Sequence, residues 1–261
     1  MKDLRTYGCT PFSVALIHGG PGAAGEMAPV ARELSRFRGI LEPFQTKRTV
    51  SGQIQELDDI LRDHGNTPLT LIGHSWGAWL SLMYAAHHQL SMKKLILVNS
   101  GPFEERYVSQ IAATRMSRMN DEEKRRFQTL IAVLEDPHGE RKDAVFSEVG
   151  SLLFHTDSYN PCTPIEPDIR ADYHIFQHVW NEADAMRRSG KLLAFARRVR
   201  CPVVAIHGAY DPHPYEGVER PLSNSIREFT FILLQHCGHY PWMERDAKKE
   251  FYAVLEKELQ K

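Results

Sequence analysis

The feature that most constrains the fold is an alternation of short apolar runs with longer segments of helical periodicity. The apolar runs have the length and the β-branched content of buried strands, and they occupy residues 13–19, 38–45, 68–74, 93–100, 201–211 and 228–235. Amphipathic helical patterns separate most of them, as in residues 51–65, where Gly65 would end the helix. This alternation predicts a doubly wound α/β fold with a mostly parallel sheet and crossover helices.

The alternation stops between residues 104 and 200, where several helical patterns occur without a convincing strand. One helix is predicted over residues 121–136, with Asp121 as its N-cap. We interpret this block as an inserted helical cap, with residues 1–101 and 199–261 forming the core domain and residues 102–198 the cap. The alternative is that these helices belong to the core.

Length and charge set the class of protein. The 261 residues suit one domain, with or without an insertion. Lys and Arg total 32 against 33 Asp and Glu, so the net charge of -1 gives no reason to expect nucleic acid or an anionic membrane as a partner. The sequence shows no signal-peptide pattern and no run of transmembrane length. We therefore expect a cytoplasmic protein that acts on a small molecule or a short peptide; its oligomeric state is left open.

The stretch LTLIGHSWGAW contains the pattern G-x-S-x-G, formed by Gly73, Ser75 and Gly77. The pattern lies between a predicted strand and a predicted helix, which is the context in which it marks a nucleophilic serine. Glycine at the two flanking positions allows the sharp turn and the close approach of helix to strand. The sequence therefore predicts Ser75 as a nucleophile held above the sheet edge.

A serine nucleophile needs a base and an orienting acid. Asp211 follows one predicted strand and His239 follows the next, so the chain order is Ser, Asp, His, which is the order expected for α/β-hydrolases. We predict that Ser75, Asp211 and His239 form a catalytic triad. The alternatives are His236 as the base and Asp246 as the acid.

Acyl transfer also needs hydrogen-bond donors for the oxyanion. The backbone amide of Trp76, directly after the nucleophile, is the first predicted donor. The second is predicted to be the amide of Gly20 in the glycine-rich stretch HGGPG, with Gly19 as the alternative.

Histidines and a carboxylate near the predicted triad raise the possibility of a metal site. The residues concerned are His207, Asp211, His213, His236 and His239. Their spacing matches no common ligand motif, and the four cysteines include no CxxC pair. The prediction is therefore no metal and no cofactor.

The four motifs HGGPG, GHSWG, GAYD and CGHYPWMER together resemble the proline iminopeptidase branch of the α/β-hydrolase superfamily. The resemblance covers nearly the whole chain and implies an α/β-hydrolase fold with an inserted helical cap. It also implies the same triad, Ser75, Asp211 and His239. In that branch, glutamates of the cap bind the free amine of the substrate, and one belongs to an Asn-Glu pair that Asn181 and Glu182 match.

The resemblance therefore assigns Glu182 to substrate binding, together with Gly19 and Trp180. A carboxylate suits the recognition of an ammonium group because the hydrogen bond is charge-assisted. Other acidic residues of the cap could serve instead: Glu166, Asp168, Asp172 and Asp184.

Two departures from the family pattern concern the substrate. Only 17 residues precede His18, which predicts a shorter sheet edge, and Ala78 follows GHSWG where prolyl aminopeptidases carry glycine. The sequence thus predicts a serine hydrolase that is first an aminopeptidase resembling proline iminopeptidases and second a carboxylesterase. A hydrolase-fold protein that binds a small molecule without turning it over is the alternative of another class.

Overall fold

The computed structural model describes residues 3–162 and 169–261. Its strands are β1 (Leu4–Tyr7), β2 (Phe12–Ile17), β3 (Ala23–Ala24), β4 (Gly39–Pro43), β5 (Leu69–His74), β6 (Met92–Val98), β7 (Arg170–Ala171), β8 (Val203–Gly208) and β9 (Phe229–Leu234). Its helices are α1 (Ala28–Leu34), α2 (Val50–His64), α3 (Trp76–His87), α4 (Val108–Arg118), α5 (Asp121–Glu135), α6 (Lys142–Asp157), α7 (Tyr173–Arg188), α8 (Lys191–Ala196), α9 (Glu216–Ser223) and α10 (Lys248–Gln260).

The main sheet of the described residues has the strand order β1-β4-β2-β5-β6-β8-β9. All neighbouring strands are parallel except β1 and β4. Buried residues of α2, α3 and α9 cover one face, and those of α1 and α10 cover the other. Apolar burial on both faces explains why the central strands are continuous apolar runs. The predicted doubly wound, mostly parallel α/β fold is confirmed, and the six predicted strands correspond to β2, β4, β5, β6, β8 and β9.

The sequence patterns missed three short strands. Strand β1 lies at the edge of the sheet and pairs antiparallel with β4, where its side chains are only partly buried and give a weak apolar signal. Strands β3 and β7 pair with each other, Ala23 with Ala171 and Ala24 with Arg170. The expectation that residues 104–200 hold no strand was therefore wrong, because a two-residue strand is too short to produce periodicity.

The helices between β6 and β8 bury apolar residues in two places. Helices α5 and α6 share a small apolar cluster with the first residue of α7, and its buried members are Leu130, Leu134, Val149 and Tyr173. The buried apolar residues of α7 after Tyr173, and those of α8, belong instead to the main core beside α3. The N-cap of α5 is Asn120, which forms a capping box with Glu123, and not Asp121 as predicted. Among the described residues, no helix combines the length and the apolar content that a membrane span requires.

Candidate active site

Ser75 lies at the sharp turn between β5 and α3. Its φ of 50° falls in the left-handed region that a non-glycine residue rarely adopts. A Cβ on Gly73 would collide with the carbonyl group of Gly77, and a Cβ on Gly77 would collide with the carbonyl oxygen of Ile17. Both glycines are therefore required by close packing at the turn, and Ser75 itself remains partly exposed.

Asp211 follows β8, and its buried carboxylate accepts four hydrogen bonds. Its Oδ2 accepts from His239 Nδ1 at 2.7 Å and from Asn99 Nδ2 at 2.6 Å. Its Oδ1 accepts from the amide of His213 at 2.9 Å and from His213 Nδ1 at 2.8 Å. Burial alone would raise the pKa of Asp211, but His239 and His213 hold it well below its usual range. The carboxylate is therefore ionised and fixed in orientation.

His239 is held through its ring and through its backbone. The ring donates from Nδ1 to Asp211, which leaves Nε2 on the opposite side of the imidazole. The backbone amide donates to the carbonyl oxygen of Asp157 at 2.7 Å. Burial alone would lower the pKa of His239, but the Asp211 carboxylate raises it above its usual value of 6.5.

The Gly19–Gly20 peptide group lies beside the Ser75 turn. A Cβ on Gly19 would stand 3.2 Å from Cβ of Ser75, and Gly20 has a φ of 107°, which glycine alone adopts readily. The amide of Gly19 donates to Glu26 Oε2 at 2.8 Å, so this alternative oxyanion donor is already engaged.

His18 fixes the orientation of the same peptide group. His18 Nδ1 donates to the carbonyl oxygen of Gly19 at 2.7 Å. In a trans peptide the N–H points away from the C=O, so the amide of Gly20 points away from His18. The amide of Trp76 is the first of α3 and has no intrahelical acceptor by its position. Trp76 and Gly20 stay the predicted oxyanion donors.

Two residues that contact Asp211 were not predicted from the sequence to do so, although His213 was considered as a metal ligand. Asn99 follows β6 in the left-handed conformation, with a φ of 45°, and also donates to the carbonyl oxygen of Gly238 at 3.0 Å. His213 stacks on His239 with ring centroids 4.7 Å apart, and burial lowers its pKa to about 4, so its ring is neutral. The position of Asn99 at a neighbouring strand end could have indicated it, because parallel strands end at one edge of the sheet.

The alternative base and acid lie elsewhere. His236 is exposed, and its ring lies 5.2 Å from that of Tyr159. Asp246 is also exposed and accepts a hydrogen bond from Asn160 Nδ2 at 3.0 Å. The described contacts of Asp211 are thus with His239 and not with His236.

Asp211, His213 and His239 bring possible metal ligand atoms within 4.8 Å of one another. This closeness has another cause, because both imidazoles donate a hydrogen bond from Nδ1 to the same carboxylate. His207 donates from Nε2 to the carbonyl oxygen of His213 at 3.0 Å. A cation at this position would have to replace the two ring protons and would face the Asn99 amide donor.

Two residues assigned to substrate binding, Glu182 and Trp180, contact other groups of the protein. Glu182 is exposed, and its Oε2 accepts a hydrogen bond from the amide of Val50 at 2.8 Å, at the first turn of α2. The ring of Trp180 stacks on Trp79 with centroids 5.7 Å apart. Its assignment to substrate binding stays a prediction, as does that of Glu182.

The other acidic residues proposed for amine binding also have partners. Asp172 caps α7 by accepting from the amide of Ile175 at 2.8 Å. Asp184 pairs with Arg187 and Arg188. Glu166 and Asp168 lie outside the described residues.

One ion pair of the helical segment, the helices between β6 and β8, contacts the backbone of His239. Arg115 of α4 binds both carboxylate oxygens of Asp157, with the closest contact at 2.5 Å. The Asp157 side chain is 1% exposed, and its backbone carbonyl accepts from the amide of His239. Arg115 and Asp157 therefore support the loop that carries His239.

Comparisons with known proteins identify the family of the chain and structures of similar fold. Residues 3–254 match the model of the Alpha/beta hydrolase family. No curated protein matches the sequence. The solved structures that resemble the chain include VinJ, with 16% identity and a TM-score of 0.72 over 98% of this chain and 94% of that one.

Two further similar structures carry names of different activities. A proline iminopeptidase from Mycobacterium smegmatis is 16% identical with a TM-score of 0.63, over 98% of this chain and 93% of that one. An enol-lactonase from Burkholderia xenovorans LB400 is 17% identical with a TM-score of 0.64, over 99% of this chain and 96% of that one. At such identities the likeness concerns the fold.

Proposed function

Because the chain belongs to the alpha/beta hydrolase family, we propose that it is a serine hydrolase that cleaves an ester or amide through an acyl-enzyme. The observation that carries the proposal is the hydrogen bond from buried His239 to ionised Asp211. Ser75 is held in a left-handed turn directly after His74, whose ring centroid lies 4.7 Å from that of His239. These are the three parts of an activated serine nucleophile.

In the first half-reaction, His239 Nε2 accepts the proton of the Ser75 hydroxyl as Ser75 Oγ attacks the carbonyl carbon of the substrate. The amides of Trp76 and Gly20 bind the oxyanion of the tetrahedral intermediate. The intermediate collapses, the bond to the leaving group breaks, and the His239 imidazolium gives its proton to that group. Ser75 is then acylated.

In the second half-reaction, His239 accepts a proton from water, and the resulting hydroxide attacks the acyl carbon. Collapse of the second intermediate releases the acid and returns the proton to Ser75 Oγ. Asp211 stabilises the imidazolium in both halves without accepting its proton. Asn99 and His213 keep the carboxylate aimed at His239.

For the substrate, we favour an ester or an uncharged amide as the first candidate and an N-terminal peptide bond as the second. The contact between Glu182 and the amide of Val50, together with the partners of Asp172 and Asp184, gives these carboxylates other uses than binding an ammonium group. The motif resemblance and the similar fold of a proline iminopeptidase favour aminopeptidase activity as the second candidate.

The test compares wild type with Ser75→Ala on p-nitrophenyl acetate and on prolyl and alanyl β-naphthylamides. We expect Ser75→Ala to lose on the order of 10⁶-fold in turnover and to lose labelling by a fluorophosphonate. Ser81→Ala is the matched control, because Ser81 is a buried serine of α3, the helix that begins directly after Ser75. Unchanged turnover in pure Ser75→Ala protein would overturn the proposal. Turnover of the naphthylamides that disappears on acetylation of their amine would favour the aminopeptidase.

A further inference from the structure

The mechanism above leaves unused a carboxylate and an imidazole that lie beside the triad. Glu26 Oε2 accepts from His74 Nδ1 at 2.9 Å and from the amide of Gly19 at 2.8 Å. His74 Nε2 donates to the carbonyl oxygen of His239 at 2.9 Å. The His74 side chain is fully buried and that of Glu26 is 10% exposed.

His74 connects Glu26 to the loop that carries His239. One ring nitrogen contacts the Glu26 carboxylate and the other contacts the peptide carbonyl of His239. Burial alone would raise the pKa of Glu26, but His74 holds it below its usual value. The other rings within contact of His74 are those of His239, Tyr240 and Trp242, with centroids 4.7, 5.5 and 4.7 Å away. The carboxylate and the imidazole are therefore both engaged by hydrogen bonds, and the imidazole packs among aromatic rings.

The partners of this pair come from three separate parts of the chain. Gly19 directly precedes Gly20 after β2, His74 directly precedes Ser75 at the end of β5, and His239 follows β9. Each contact is therefore within one residue of a predicted oxyanion donor, the nucleophile or the base.

We propose that Glu26 and His74 form a positioning pair. The pair holds the loop of Gly19 and Gly20, the Ser75 turn and the His239 loop at the distances that acyl transfer requires. This inference rests on the proposed function. The pair touches no reacting atom, so its effect is on the placement of Gly20, Ser75 and His239. A displacement of about 1 Å in such groups can cost about 10²-fold in rate.

A second buried ion pair, which lies away from Ser75, serves as a structural comparison. Lys94 and Glu258 lie 3.1 Å apart with side chains 7% and 6% exposed. Lys94 is at the beginning of β6, and Glu258 is in α10, so this pair lies toward the end of the sheet opposite to Ser75. Glu258→Gln is therefore the matched control for Glu26→Gln.

The experiment measures kcat and KM on the best ester substrate for wild type, Glu26→Gln, His74→Gln, the double variant and Glu258→Gln. We expect each single variant at the positioning pair to lose about 10- to 100-fold in kcat with KM within about twofold, because the substrate still binds but the reacting groups are displaced. The double variant should lose no more than the worse single variant, because the two residues act as a unit. Glu258→Gln should melt at a lower temperature and keep its kcat.

A measurement on the wild type does not depend on whether the variants fold. In a ¹⁵N-labelled sample at the assay pH, the ring N–H of His74, assigned by backbone-to-ring correlation, should exchange slowly with water, because both ring nitrogens are buried in hydrogen bonds. A His74 ring N–H that exchanges as fast as that of an exposed histidine would overturn the proposal, and so would wild-type kcat in folded Glu26→Gln and His74→Gln. These outcomes differ from failure of the proposed function, in which wild-type turnover would survive Ser75→Ala.

Discussion

The carboxyl-terminal edge of the sheet and the helical segment between β6 and β8 use charged residues in opposite ways. At the sheet edge, Asp211 is buried and accepts four hydrogen bonds. In the helical segment, Arg126 and Glu148 form an ion pair whose side chains are 62% and 42% exposed. Exposed pairs contribute about 0 to 1 kcal/mol, whereas buried networks fix the geometry of every member. The difference separates the part of the molecule that carries the proposed active site from a part whose charged side chains are solvated.

Arg115 and Asp157 are one exception to this contrast, and they make the comparison testable. They belong to the helical segment, yet Asp157 is as buried as the groups of the sheet edge and contacts the backbone of His239. The segment therefore contributes to the site through a few buried contacts, while most of its charged surface does not.

The largest effect is expected at the centre of the sheet-edge network. Asp211→Asn preserves the shape of the side chain but removes the charge that stabilises the His239 imidazolium. We expect a loss on the order of 10⁴-fold in kcat, measured on the same ester with the melting temperature recorded in parallel. A loss of less than about tenfold in a folded variant would mean that Asp211 does not orient the base.

The pH dependence of kcat/KM checks the same network. Turnover requires neutral His239, and its pKa is raised, so the activity of the wild type should rise with pH through a midpoint above 6.5. His213 contributes no step near neutrality because burial lowers its pKa to about 4. In Asp211→Asn the raising charge is gone and burial remains, so the midpoint should move to lower pH. A midpoint that stays in place would show that another group sets it.

An intermediate effect is expected when the two ion pairs of the helical segment are compared. Arg115→Ala leaves Asp157 buried without its cation, which costs about 3 kcal/mol in the free energy of unfolding and should reduce kcat roughly tenfold by loosening the His239 loop. Arg126→Ala should change stability by less than about 0.5 kcal/mol and leave kcat unchanged. Denaturant unfolding and ester turnover measure both. Equal behaviour of the two variants would remove the distinction between them.

The smallest effect is expected at Glu182. Its carboxylate contacts the amide of Val50 at the N-terminus of α2, so Glu182→Gln should cost less than about 1 kcal/mol and leave ester turnover unchanged. If Glu182 instead binds the amine of a peptide substrate, the variant should lose naphthylamide turnover far more than ester turnover.

The core of the fold could be predicted from the sequence because buried parallel strands and amphipathic helices leave strong periodic signals. Strand β1 and the pair of β3 with β7 left no such signal, since an edge strand is half exposed and a two-residue strand has no period. The three residues proposed as a triad could be named from the sequence because each follows a strand, and parallel strands of one sheet end at the same edge.

What surrounds the triad was decided by the tertiary structure. Asn99, Asp157 and the pair of Glu26 with His74 come from segments far apart in sequence, and no local pattern distinguishes them from other polar residues. His213 is only two residues from Asp211, but its local sequence does not indicate that its ring binds the carboxylate. The Asn-Glu motif of Glu182 could be recognised in the sequence. Its contact with Val50 could not, because the contact depends on how α7 packs against α2. The sequence by itself determined the order of strands and helices and the residues of the predicted triad, because these depend on local periodicity and on short motifs. Only the tertiary structure decided which buried groups orient them, because a hydrogen bond between distant segments depends on packing that no local pattern records.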